Sequence, residues 1–158
     1  SEVLSAYISE LKQLEPVVTP TLATFYHLVH LSARKEAFID ELPMETINPL
    51  YKTINREFEV KRWLAADAAQ VEWNEKEAAY LLAMVKVLDE QGVRLLVGSD
   101  AGTLYLPPGS STHDEMALMI RAGRSPEVFV ESAVRLAISG VRGKPGGEDN
   151  IGVVASIA

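Results

Sequence analysis

Between Asn74 and Gly102 the chain reads NEKEAAYLLAMVKVLDEQGVRLLVGSDAG, and no other stretch limits its fold so narrowly. Ala78, Leu81, Leu82, Val85 and Leu88 recur at the spacing of one helical face. Asn74 with Glu77 three residues on forms a capping-box-like start, and Gly92 stands where a left-handed residue closes a helix. The apolar run Val93 to Val97 follows at once, too short for a helix and bounded by glycine. A helix that hands over directly to a short buried strand is half of an α/β unit, a pattern that points to parallel architecture. The strand then stops on Gly98-Ser99-Asp100-Ala101-Gly102, one carboxylate among small residues.

The same grammar appears earlier. Leu4, Ile8, Leu11 and Leu14 predict an amphipathic helix over 2–15, ended by Pro16. Val17 to Thr19 follows as a short strand, because the residue before a proline is driven toward extended geometry. From Leu22 to Asp67 the pattern predicts irregular helices, broken at Pro43, with Pro49 inside a further helix. Trp63, Trp73, Tyr51, Ile54 and Phe58 are expected in the core, or as an exposed apolar patch that drives self-association if their covering surface lies elsewhere. Thr112 with Glu115 reads as a second capping box, opening a helix that stops at Gly123. Ser125-Pro126-Glu127 opens a last helix running to Ile138. A Gly-rich turn and a strand-like piece, Ile151 to Ala155, finish the sequence.

At 158 residues, 47% hydrophobic and 23% charged, the chain has the size and composition of one soluble domain. Its net charge of −7, with scattered Lys and Arg, argues against nucleic acid or a membrane surface as partner. The absence of Cys excludes disulfides and thiolate-bound zinc. No apolar run reaches the roughly 20 residues of a membrane span, and the first residues lack the pattern of a signal peptide. A cytoplasmic location is the expectation. Two strands alone make a poor sheet, so the pattern is that of a slice of something larger.

The ordered set VVTPTL, then VKVLDEQGVRLLVGSDAG, then PPGSSTHDEMALMIRAGRSPE resembles the C-terminal part of an amidohydrolase-superfamily enzyme, in the branch of imidazolonepropionase-like enzymes and Xaa-Pro or Xaa-Arg dipeptidases. The resemblance spans 1–140 and implies α/β architecture: a partial (β/α)8 (TIM-type) barrel, helix-rich, holding roughly the last two β/α units. Residues 141–158 would then lead toward a truncated small β-domain. The resemblance implies hydrolysis of a C–N bond in a small amide, cyclic amide or dipeptide by water activated on Zn²⁺ or another divalent metal. Asp100, at the tip of the last strand, would be metal ligand and general base, with Gly98 and Gly102 leaving room beside it. Thr21 at the end of the earlier strand, Tyr105 in the following loop and His113 at the next helix start would line the substrate pocket.

Departures from the family pattern are specific. No His-x-His exists among His27, His30 and His113, and the family's other histidines and its bridging lysine have no counterpart. One carboxylate cannot hold a catalytic zinc. The chain is therefore expected to be a fragment, inactive and metal-free alone, that forms homo-oligomers through exposed barrel surfaces. The alternative is a non-catalytic α/β scaffold with Asp100 a vestige. For single residues the plainer readings stay open: His113 as a first-turn polar residue, Glu115 as a cap partner, Asp114 as a surface residue, His27 and His30 as packed or surface residues, Tyr105 as a loop aromatic. The segment GGEDN superficially resembles a metal motif of Mg²⁺- or Mn²⁺-dependent phosphatases near Asp149, but the other aspartates of such a site are missing.

Overall fold

The computed structural model describes residues 2–14, 16–43 and 47–126. In chain order these form α1 (Glu2–Gln13), β1 (Val17–Val18), α2 (Leu22–Arg34), α3 (Glu36–Ile39), α4 (Pro49–Ile54), α5 (Lys61–Leu64), α6 (Ala68–Glu90), β2 (Arg94–Leu95) and α7 (Ser110–Arg121). A single π-helical turn, Asn55–Glu59, continues α4. The fold is helix-rich and α/β-like. The last helix and the tail expected from the sequence, including GGEDN and residues 141–158, lie outside the described residues.

The two strands pair in parallel, Val17 opposite Arg94 and Val18 opposite Leu95, and the Leu96 amide donates to the Val18 carbonyl at 2.8 Å. Both are two residues long, shorter than the apolar runs suggest. Thr21, at the β1–α2 junction, has a left-handed backbone (φ 51), which is rare for a β-branched residue. Beyond β2 the chain approaches β1 so closely that a Cβ at Gly98 would lie 2.6 Å from Thr19 Cγ2. Gly98 is thus needed for close packing of the strand ends. The sequence reading gave it a different task, that of leaving room for a ligand.

Helices α2 and α6 pack along one another more extensively than any other pair of elements among the described residues. The sequence placed the start of α6 at Asn74, but the helix begins six residues earlier. Asp67 is its cap, accepting a hydrogen bond from the Gln70 amide at 2.8 Å. Asn74 is instead buried inside the helix. Its Nδ2 donates to Ser32 Oγ on α2 at 3.0 Å, and its Oδ1 accepts from Gln70 Nε2 at 2.8 Å. A polar pair buried between two helices fixes one register, since any slip strands both groups. Gly92 closes α6 with φ +75, as expected from its position.

Pro49 likewise sits at the first turn of α4 and not within it, behind Asn48, whose Oδ1 accepts from the Leu50 amide. That position needs no amide donor, so proline is tolerated there.

Two apolar clusters result. Ile8, Leu22, Val85, Leu88, Val93, Leu95, Val97 and Met119 form one around the strands. Leu28, Leu31, Ile39, Val60, Leu104 and Tyr105 form the other, between α2, α3 and the loop after β2. Of the large apolar residues expected in the core, Trp63 and Tyr51 are half-buried, whereas Trp73, Ile54 and Phe58 are exposed. The inward side of α4 is taken by Tyr51 and Asn55, which turns the stripe Leu50, Ile54 and Phe58 outward.

Candidate functional site

The region where Thr21 and Asp100 lie is built from the first turn of α2, the chain after β2 and the first turns of α7. A buried polar network ties the three together. Thr24 Oγ1 donates to the Ser99 carbonyl at 2.8 Å, and the Ser99 and Ser111 hydroxyls share a hydrogen bond of 2.8 Å. Glu115, fully buried, accepts from the Ala23 amide through Oε2 at 2.6 Å, while its Oε1 has no partner among the described residues.

Glu115 therefore caps α2, across the fold, and not its own helix. Helix α7 starts at Ser110 off Gly109 (φ +88) with no side-chain cap, so the expected Thr112–Glu115 capping box does not form. The reason is hydrogen bonding: a carboxyl oxygen beside free amides at a helix start satisfies groups that would otherwise be orphaned. Burial pushes the Glu115 carboxyl up to about 7, against the opposing pull of the Ala23 and Leu22 amides.

Asp100 stands one residue beyond this network. It is exposed, with a left-handed backbone (φ 57) that aspartate tolerates better than most residues. Thr21 and Asp100 thus share two properties: each follows the carboxyl end of one of two adjacent parallel strands, and each is left-handed. His113 is exposed in the early part of α7. The structure gives Tyr105 a different setting. It is buried in the second cluster, its amide donating to Asn55 Oδ1 at 2.7 Å and its hydroxyl to the Lys52 carbonyl at 2.9 Å.

His27 and His30 both pack against Phe38, at ring-centroid distances of 4.7 and 5.4 Å. Burial holds His27 down to about 4, opposed by a hydrogen bond with the Leu104 backbone and helped by the neighbouring His30. It is a neutral packing residue at ordinary pH. Among the described residues no three His, Cys, Asp or Glu side chains come together as a metal centre would require. Asp100, exposed and alone, does not fit a complete metal site. No helix among the described residues is long and apolar enough to cross a membrane.

Sequence reasoning missed Ser99, Ser111 and Thr24, whose spacing carries no motif. A small polar residue on each side of a glycine-rich loop was the one available signal. Compared with protein-family models, with curated proteins and with solved structures, the chain matches none.

Proposed function

We propose that this chain forms the closing units of an amidohydrolase-type (β/α)8 barrel that hydrolyses a C–N bond in a small amide or dipeptide. What supports the reading is one observation: two adjacent parallel strands with Thr21 and Asp100 just beyond their carboxyl ends. Catalytic groups of such barrels collect at that face. Asp100 is the general base. It accepts a proton from the attacking water as the water oxygen bonds to the carbonyl carbon. It then returns that proton to the leaving nitrogen as the C–N bond breaks. The buried hydrogen bonds through Ser99 hold the backbone next to it. The described residues do not make a metal centre.

A second reading, a non-catalytic scaffold that self-associates, draws on the outward stripe of Leu50, Ile54 and Phe58, which are 64%, 44% and 79% exposed. One experiment separates the two. The natural protein carrying these residues is assayed against a dipeptide panel, as wild type and as Asp100→Asn, with light scattering alongside. Hydrolysis that falls by about 10²- to 10⁴-fold in the variant supports the base. Hydrolysis indifferent to the substitution, or an oligomer with no hydrolysis, overturns it and favours the scaffold.

A further inference from the structure

A groove of about 390 Å³ runs between α3, α4 and the loop after β2, away from Asp100, His113 and Thr21, none of which lines it. That volume lies within the range of small-molecule sites. Ile39 and Leu42 supply apolar surface, while Asp40, Lys52, Arg56 and Tyr105 supply polar groups.

The charges along it are not equivalent. Arg56 is already engaged, both its terminal nitrogens reaching Glu36 at 3.0 and 3.1 Å, and Glu36 keeps its guanidinium firmly protonated. Asp40 and Lys52 have no ion-pair partner among the described residues, and they do not pair with each other. One anion and one cation, both uncommitted, therefore flank an apolar surface.

The backbone is strained to build this wall. Leu104 and Tyr105 are consecutive left-handed residues, φ 50 and φ 61, held by the Asn55 side chain and by the Tyr105 hydroxyl on the Lys52 carbonyl. Such strain in a bulky residue persists only where the surroundings over-determine it, and it gathers at ligand sites.

We infer that this groove binds a small zwitterion of the α-amino-acid type with an apolar side chain. Its carboxylate meets Lys52, its ammonium meets Asp40, and its side chain lies on Ile39 and Leu42. A simple anion would leave Asp40 facing it, and a simple cation would leave Lys52. Only a ligand with both charges satisfies the two groups together. The inference does not depend on hydrolysis at Asp100, because its test reads binding and not turnover.

The test is calorimetric titration of the full chain with L-leucine, with N-acetyl-L-leucine, which lacks the ammonium, and with L-leucinamide, which lacks the carboxylate. L-leucine is expected to saturate with a Kd near the millimolar range, and each derivative to bind about tenfold more weakly. Lys52→Gln should weaken L-leucine without further weakening L-leucinamide, and Asp40→Asn should weaken L-leucine without further weakening N-acetyl-L-leucine. Asp40 is exposed and Lys52 half-buried, and circular dichroism is to check that each variant is folded. Absence of saturation up to about ten times that Kd range, equal binding of all three compounds, or indifference to both substitutions overturns the proposal.

Discussion

Leu22, Val85, Leu88, Val93, Leu95 and Met119 meet across long helices and paired strands, where the regular elements satisfy their own backbone groups. Leu28, Leu31, Ile39, Val60, Leu104 and Tyr105 meet where the second half of α2 faces short helices, a π-helical turn and a strained loop. In that second cluster single side chains do what regular structure does in the first. Asn55 alone, 1% exposed, accepts the Tyr105 amide and donates to the Tyr51 carbonyl. Lys35 Nζ donates to the Trp63 and Ala66 carbonyls at 3.1 and 2.7 Å, closing the end of α5. The difference separates stability spread over many apolar contacts from stability concentrated in a few polar ones.

The largest effect is expected in the first cluster. Leu95→Ala should destabilise the chain by about 3 kcal/mol, because a fully buried leucine between helix and sheet leaves a cavity that regular elements cannot fill. Urea denaturation reads it directly, and a loss below about 1 kcal/mol would mean that the cluster collapses around the gap.

Glu115 joins α2 to α7 and gives a pH signature. With its carboxyl raised from 4.5 to about 7 in the folded chain, the folded state holds a proton that the unfolded state releases. Its contribution is therefore fully present below about pH 4.5 and is lost as pH rises through about 7, by on the order of 3 kcal/mol. Glu115→Gln should remove that falling limb and leave the opposite rise that His27, held down to about 4 in the fold, contributes as pH climbs toward 6.5, when denaturation midpoints are measured from pH 4.5 to 8. A variant whose slope matches the wild type would place the titration elsewhere.

A smaller loss is expected for Asn55→Ala, about 1–2 kcal/mol, since the Tyr105 amide is left buried without an acceptor. The loss should come with faster hydrogen exchange at Tyr105 while amides around β2 keep their protection. Uniform loosening of both regions would erase the distinction drawn between the clusters.

The same distinction governs what was readable beforehand. The periodic helices and the helix-to-strand handover at Gly92 follow from apolar spacing and one glycine, and the structure has them. Asn74 shows where that reading stops. Its cap-forming chemistry is equally suited to a buried partner on another helix, and a sequence does not say that Ser32 is opposite. Glu115 repeats the lesson, for the amides it caps lie far upstream, at Leu22 and Ala23. The outward turn of Phe58 and Ile54 was equally hidden, because it depends on Tyr51 and Asn55 finding partners in a distant loop. Of the candidate residues, Thr21 and Asp100 were legible as strand ends, whereas the setting of Tyr105 depended on two left-handed residues with no glycine to announce them.

The parallel ladder joins residue 17 to residue 94, so more than half of the described chain lies between its two strands. Pairing at that separation gains little until the intervening helices have docked, since closing the loop comes before any reward from the ladder. The expected order of folding is that α2 and α6 meet first and the strand ends close afterwards, which pulse-labelled hydrogen exchange reads as protection in α6 before the Leu96 amide. On that order, a chain newly made or recovering from heat is expected to hold its helical frame before it holds Thr21 beside the Asp100 loop.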